Sequence, residues 1–273
     1  MGRESTRYWN AAAWPGVSCL EAAFTCQHFA PHSHDAVVIA LTCAGGSSYT
    51  SRGQSAEATT DALLVFNPSE PHAGHMRHSR YWHYRALYLA RPALDALLPA
   101  LGMARVPGFT RNAIADRELI RAFARAHREL DGGDSTLAGE RLVDACGRLF
   151  STQAGEVHRV SDAQSDRSHV DAALATIRQR FRDRLTVSDL ARTAGLSPFQ
   201  LIRQFNRVTG MPPHAHVLRA RLHEAIRHLR RGAGLGDASA ASGFYDQSAL
   251  TRQFRRAYGI TPGQYLRALR GSA

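Results

Sequence analysis

The spacing of apolar residues changes once along the chain. Between residues 24 and 90, short apolar runs alternate with clusters of Gly, Pro, Ser and Asn, which is typical of β-strands joined by turns; the runs at 37–41 and 63–66 are examples. Apolar residues then recur at helical spacing and predict helices over residues 92–101, 116–130 and 134–150. A polar, aperiodic stretch follows at residues 151–168 and has the composition of a linker.

Beyond residue 168 the pattern is helical almost to the end of the sequence. Ser168 with Asp171, and Thr186 with Asp189, have the spacing of N-terminal capping pairs, so each pair predicts the start of a helix. A turn at residues 195–198, with Gly first and Pro last, precedes another helix and completes a helix-turn-helix outline. We therefore predict two domains, residues 1–153 and 169–273, joined by a linker at 154–168.

The helix-turn-helix outline occurs twice. Residues 203–213 (RQFNRVTGMPP) and 252–262 (RQFRRAYGITP) are identical at six of eleven positions with a constant offset of 49. A predicted helix over residues 213–230 would join the two copies as a stiff spacer. Two recognition helices held in this way can enter successive major-groove segments, about 34 Å apart, on one side of a DNA duplex.

The distribution of charge supports the same interpretation. The net charge is +11, and all 34 basic residues are Arg. Residues 167–273 contain 18 Arg and 6 acidic residues, a net charge of +12, whereas residues 1–166 contain 16 Arg and 17 acidic residues, a net charge of −1. A basic excess confined to the helical end is typical of a module that binds a polyanion such as double-stranded DNA, and a solvated basic surface is the alternative.

Side chains on the two predicted recognition helices divide by direction. Leu201 with Phe205, and Leu250 with Phe254, lie four residues apart and should face the core. The predicted DNA-binding residues point away from it: Phe199, Ile202, Arg203, Arg207, Gln247, Ser248, Thr251, Arg252 and Arg256.

Different roles are expected within this set. Arg203 and Arg252 suit the edge of a guanine, the commonest specific contact of Arg in the major groove. Arg207 and Arg256 suit phosphates, which position a protein without selecting a sequence. The interpretation of Phe199 and Ile202 stays open, because such side chains either contact thymine methyl groups or cover the core.

The second copy carries a family resemblance. Residues 243–248 (GFYDQS), 252–256 (RQFRR) and 259–262 (GITP), with Tyr265, resemble the signature of the AraC/XylS family of bacterial transcription regulators. The likeness extends over about residues 169–270, and Ala249, Ser239 and His216 depart from the residues usual at their positions. The resemblance implies a sequence-specific regulator that is not an enzyme, and an activator of transcription that works with RNA polymerase.

Two segments of the N-terminal region carry a second resemblance. His32-Ser33-His34 precedes an apolar run, and Pro68 is followed four residues later by His72. These segments resemble the two motifs of a cupin barrel, and residues 20–90 resemble an AraC-type sensor domain. The implied fold is α+β and multidomain, with a cupin-like β-barrel and accessory helices followed by an all-α domain of two helix-turn-helix units. A small-molecule effector would then bind near His32, His34, Glu70 and His72.

The same histidines leave an alternative open. His32, His34 and His72 are ligand types that a divalent metal accepts, with Glu70 as a further donor. Metal-binding cupins place a carboxylate shortly after the second His, whereas residues 37–39 here are Val-Val-Ile. We therefore predict an effector pocket without a metal cofactor. The alternative function is a metal-dependent cupin enzyme fused to a DNA-binding module, and bound metal with substrate turnover would distinguish it.

The cysteines and the hydropathy bound the remaining classes. The four cysteines have no zinc-site spacing, which disfavours a DNA-repair protein with a zinc-cysteine module and indicates reduced thiols in a cytoplasmic protein. No apolar run approaches the ~20 residues that span a bilayer, so no membrane partner is expected. A homodimer is predicted, because the helices at 116–130 and 134–150 offer a dimerisation surface; the same helices could equally pack on their own barrel.

Overall fold

Alternating apolar positions build the N-terminal part of the protein from two β-sheets. The computed structural model describes residues 4–76, 79–132, 135–152 and 164–270. These residues divide into two compact units that lie mainly within residues 1–159 and 160–266.

The larger sheet of the first unit has six strands in the order β1-β2-β9-β4-β7-β10, and the smaller has four in the order β3-β8-β5-β6. The strands are β1 (Ser5–Asn10), β2 (Val17–Phe24), β3 (His28–His32), β4 (Ala36–Gly45), β5 (Ser47–Ser51), β6 (Gln54–Ala58), β7 (Leu63–Phe66), β8 (His72–His75), β9 (Trp82–Ala90) and β10 (Ala113–Ile114). Every pairing with a resolved register is antiparallel.

The two faces of the larger sheet are both covered. Because side chains alternate between faces along a strand, Ile39 and Leu41 lie on one face and Val38 on the other. The first face joins a core that also contains Phe123 and Leu142 from helices. The second face meets the smaller sheet in a cluster of Val38, Tyr49, Ala58, Leu64 and Phe66. The two sheets therefore pack against each other through aromatic and aliphatic side chains.

Three helices cover the first face, close to the predicted positions. They are α1 (Arg91–Ala100), α2 (Arg117–Glu129) and α3 (Ser135–Ser151). Leu119, Phe123, Leu142 and Phe150 turn the apolar sides of α2 and α3 into the core of their own unit. Of the two roles considered for these helices, packing on their own barrel is thus the one that uses their apolar sides.

Seven helices form the second unit. They are α4 (Gln164–Arg180), α5 (Val187–Thr193), α6 (Pro198–Thr209), α7 (Pro213–Arg230), α8 (Leu235–Ala241), α9 (Gln247–Tyr258) and α10 (Pro262–Arg270). Within the described ranges, no helix has the length and hydropathy needed to cross a bilayer.

The predicted helix start at Ser168 is wrong. Helix α4 begins at Gln164, so Ser168 lies inside its second turn and does not cap it. No Gly or Pro separates residues 164 and 168, so nothing in the sequence prevents the helix from starting earlier than the capping pattern indicates. Of the predicted linker, residues 154–163 lie outside the described residues and 164–168 are helical.

Local sequence determines ends of helices α5, α6 and α9. Thr186 and Asp189 form the predicted capping box at the start of α5, and Ser197 forms one with Gln200 at the start of α6. Helices α6 and α9 both end at a glycine in the left-handed conformation, Gly210 and Gly259, each with φ of 73°. These two glycines are related by the offset of 49, so the sequence repeat is also a repeat of structure.

The repeat continues into the first turns of helices α7 and α10. His216 packs edge-on against Phe205, with ring centroids 5.4 Å apart, and Tyr265 packs against Phe254 at 5.8 Å. Residues 216 and 265 are again 49 apart, so His216 occupies in the first helix-turn-helix unit the position that the aromatic Tyr265 occupies in the second. Its Nε2 lies 2.8 Å from the Thr209 hydroxyl, and burial together with Arg219 lowers its pKa to about 4.

Candidate nucleic-acid interface and effector site

Helices α6 and α9 are the second helices of the two helix-turn-helix units. Leu201 and Phe205 of α6, and Leu250 and Phe254 of α9, are buried, as the spacing predicts. Their opposite sides are therefore directed to solvent. This orientation leaves one side of each helix available to a duplex.

All nine residues predicted to bind DNA lie on these two helices. Eight of them are exposed, and Thr251 is half-buried. Phe199 is 74% exposed, and Ile202 is also exposed, although both are large and apolar. Neither side chain belongs to the buried cluster of the first helix-turn-helix unit. Their exposure disfavours the alternative in which they cover the core.

Sequence reasoning missed Tyr245. This residue is 97% exposed and lies in the turn directly before α9, next to Asp246, whose side chain caps the helix by accepting from the Ala249 amide. The turn that contains Tyr245 is one residue longer than the matching turn of the first helix-turn-helix unit. The inserted residue is the sequence signal for an additional exposed side chain, because it occupies a position that the turn of the first helix-turn-helix unit does not have.

Three of the predicted effector residues, His34, Glu70 and His72, belong to the first unit, and His32 is the last residue of strand β3. The imidazole of His72 stacks on Phe66 with centroids 4.1 Å apart, and His34 lies 5.3 Å from His72 and 5.0 Å from Tyr88. His32, His34 and His72 each offer one ring nitrogen, and these three atoms lie within 4.8 Å of one another. The structure therefore brings the three predicted histidines together.

The protonation of His72 follows from its surroundings. Burial lowers its pKa to about 4, so the ring is neutral at neutral pH. Its Nδ1 lies 3.0 Å from the carbonyl oxygen of Glu70, which only accepts hydrogen bonds. Nδ1 therefore carries the proton, and Nε2 carries the lone pair of a hydrogen-bond acceptor or a metal ligand.

Glu70, the fourth predicted effector residue, has a different environment. Its carboxylate is buried and accepts hydrogen bonds from Arg52, Asn67, Asn112 and Ser51. Although burial alone would raise the pKa of Glu70, these bonds, led by that of Arg52, lower it. Both carboxylate oxygens are thus engaged within the protein, and the bonds join the β5–β6 turn to the segments before β8 and β10.

These features together define a DNA-binding transcription regulator with a ligand-binding domain. Residues 15–146 match the model of the AraC-like ligand binding domain, and residues 190–268 match that of a helix-turn-helix domain. The chain belongs to the AraC family of transcriptional regulators. The predicted family, fold class and general function are therefore confirmed.

Individual relatives agree with this assignment. The chain is 25% identical to the HTH-type transcriptional regulator YbfI of Bacillus subtilis over 82% of each protein. It is 33% identical to the transcriptional activator NphR of a Rhodococcus species, but over 43% of this chain and only 33% of NphR. The fold is similar to that of ToxT from Vibrio cholerae bound to an unsaturated fatty acid, with a TM-score of 0.55 at 12% identity over 99% of both chains.

Proposed function

We propose that this regulator binds a bipartite promoter site, with helix α6 in one major-groove segment and helix α9 in the next. The observation that carries the proposal is the pair of exposed sides on two helices that repeat each other in sequence, end cap and packing. Solvent exposure of Phe199 and Ile202 costs hydrophobic free energy, which a contact with thymine methyl groups would recover.

We assign direct base contacts to Arg203 and Arg252, which are exposed at equivalent positions of the two helices. Gln247 is suited to an adenine, and Arg207 and Arg256, nearer the helix ends, are suited to phosphates. Ser248 and Thr251 complete the surface of α9. Tyr245 adds an exposed hydroxyl beside this surface, at a position of the turn that has no counterpart in the first helix-turn-helix unit.

Selection of binding sites from random double-stranded DNA by the full-length protein tests this proposal. We expect two enriched submotifs at a fixed separation close to one helical turn, about 10–10.5 base pairs. Enrichment of a single short motif would contradict the use of both helices. Retention of DNA without any enriched motif would contradict sequence-specific recognition.

For the effector, we propose a small molecule with an apolar body and a hydrogen-bond donor. The aromatic and aliphatic lining between the sheets is suited to the apolar body. The acceptor Nε2 of neutral His72 is suited to a donor rather than to a carboxylate. We assign His34 and His32 to the same site, and Glu70 to holding the segment that carries His72.

Matched probes test the donor requirement. Oleyl alcohol and methyl oleate share an apolar chain, as does the unsaturated fatty acid bound to ToxT, but only the alcohol donates a hydrogen bond. Thermal unfolding of the first unit can be followed by Trp fluorescence, since all three Trp residues lie in it. We expect stabilisation by the alcohol that the His72→Phe variant loses. Equal stabilisation by oleyl alcohol and methyl oleate would contradict the proposed donor. Stabilisation by the carboxylate oleate and not by the alcohol would contradict it too.

We also propose that the protein acts as a homodimer and that it activates transcription through RNA polymerase; the relative NphR is by its name a transcriptional activator. The dimer would use the polar outward sides of α2 and α3, because their apolar sides are buried. Sedimentation and transcription in vitro test the two points separately. A monomer at micromolar concentration, or repression at a selected site, would contradict the corresponding part.

A further inference from the structure

The connection between α4 and α5 contacts the helix that joins the two helix-turn-helix units. Arg221, in the middle of α7, donates from Nε to the Phe181 carbonyl at 2.7 Å and from Nη2 to the Asp183 carbonyl at 2.8 Å. Carbonyls at the end of a helix lack partners within the helix. Arg221 therefore supplies donors to this connection and fixes the end of α4 against α7.

The same connection also contacts the turn that precedes the second recognition helix. Gly243 lies in that turn with a φ of 78°, and a Cβ atom placed on it would lie 2.6 Å from Cα of Arg182. Arg182 donates from Nε to the Ala241 carbonyl, at the end of α8, at 3.0 Å. Backbone therefore packs directly on backbone here, and a glycine is required for both its conformation and its lack of a side chain.

A buried carboxylate completes the junction. Glu224 of α7 is 8% exposed and accepts hydrogen bonds from Arg182 and Arg227, and His228 Nε2 lies 3.2 Å from the same oxygen. Burial alone would raise the pKa of Glu224, but the bonds from Arg227 and Arg182 lower it to about 2. The carboxylate is therefore charged at neutral pH.

We propose that Arg182, Glu224 and Gly243 form a positioning junction that sets the distance and rotation between recognition helices α6 and α9. The inference rests on the proposed binding of a bipartite site. Helix α4 belongs to the core of the first helix-turn-helix unit, whereas Gly243 belongs to the turn that precedes α9. Their contact through Arg182 joins the two helix-turn-helix units at a second point, in addition to the covalent connection through α7.

The type of interaction fits a role in geometry rather than in stability. Arg182 is half-exposed, so its ion pair with Glu224 contributes little to stability, whereas the backbone contact between Gly243 and Arg182 leaves no room for a different arrangement. One base pair changes the separation of two half-sites by about 3.4 Å and their relative rotation by about 34°. A junction with one allowed arrangement would reject such a change, and a single helical connection that bends would tolerate it.

Binding-site selection from random DNA with full-length variants tests the junction. Arg182→Ala removes the donors to Glu224 and Ala241 without a steric clash, and Glu224→Gln keeps the size of the side chain. Arg178→Ala is the matched control, because Arg178 is exposed in the last turn of α4, four residues before Arg182, and its replacement removes the same charge. Circular dichroism verifies that each variant is folded, and Arg182→Lys serves as a second, milder variant.

The readout is the distribution of spacings between the two submotifs. We expect the wild type and Arg178→Ala to select one spacing, and the junction variants to select the same submotifs with sites one base pair longer or shorter also enriched. A purely stabilising role would lower affinity and leave the spacing unchanged, which would overturn the inference. If the wild type itself selects no bipartite site, the proposed function fails before the junction is tested.

Discussion

Replacement of Ser239 by Ala should stabilise the DNA-binding unit. Ser239 lies in α8 and is 2% exposed, and its hydroxyl has no hydrogen-bond partner among the described residues. A buried polar group without a partner costs about 1–3 kcal/mol, because its hydrogen bonds to water are lost on folding and not replaced. Ala also has a helix propensity more favourable than that of Ser by at most about 0.7 kcal/mol. We therefore expect Ser239→Ala to raise the local free energy of unfolding by about 1–2 kcal/mol.

The neighbouring Ser242 provides a matched control. It is fully buried too, but its hydroxyl donates to the Ala238 carbonyl at 2.6 Å. Removal of a satisfied hydrogen bond typically costs about 0.5–1.5 kcal/mol. The same chemical change at two buried positions three residues apart should thus have opposite signs.

Hydrogen exchange of the full-length protein measures this effect where it occurs. Amides of α7 to α9 should exchange about 5–30 times more slowly in Ser239→Ala and faster in Ser242→Ala. Denaturation followed by Trp fluorescence should be unchanged in both, because all Trp residues lie in the first unit. Unchanged or faster exchange in Ser239→Ala would refute the reasoning and would mean that the hydroxyl has a partner such as a bound water.

Four further predictions concern the two units. Arg203→Ala should cost about 1–3 kcal/mol of DNA binding and relax the preference at one base position; equal losses on selected and random DNA, measured by titration, would contradict a base contact. Arg256→Ala should weaken binding to all sequences and reduce the salt slope by about 1; an unchanged slope would argue against a phosphate contact. The pKa of His216 is lowered to about 4, below its ordinary 6.5, so its stabilising contribution is present above pH 6.5 and is lost as the pH falls towards 4. His216→Phe should reduce the loss of hydrogen-exchange protection in the DNA-binding unit between pH 6.5 and 4. The same loss in the variant and the wild type would show that His216 is not its cause. Glu70→Gln should destabilise the first unit by about 3–5 kcal/mol in urea denaturation, because it leaves Arg52 without its charged partner; a loss below 1 kcal/mol would show that the network tolerates a neutral residue.

Features determined by local sequence could be predicted. The capping box at Thr186, the glycine that ends α6 and the inward direction of Phe205 depend on residues within one or two helical turns. Ser168 shows the limit of this approach. A capping pattern states where a helix is able to begin, and it does not exclude an earlier start when the preceding residues also accept helical geometry.

Features that depend on distant partners could not be predicted. The position of Glu70 beside His72 predicts a part in the effector site, whereas its hydrogen bonds with Arg52 and Asn112, which are 18 and 42 residues away, are visible only in the fold. The junction at Glu224 depends on Arg182, also 42 residues away. Neither pairing leaves a periodic signal, because the partners lie in turns and at helix ends whose meeting is set by the tertiary fold.

The order of strands in the larger sheet has a consequence for folding. Strand β9 lies between β2 and β4, and β10 pairs with β7, so the sheet is incomplete until residues near 114 are available. Non-local pairing of this kind slows folding and leaves apolar strand edges exposed in the meantime. The helices of the second unit contact mostly sequence neighbours, which favours rapid folding. During synthesis, the N-terminal sensor is therefore the part that depends on time and on protection from aggregation, while the DNA-binding unit matures soon after it emerges.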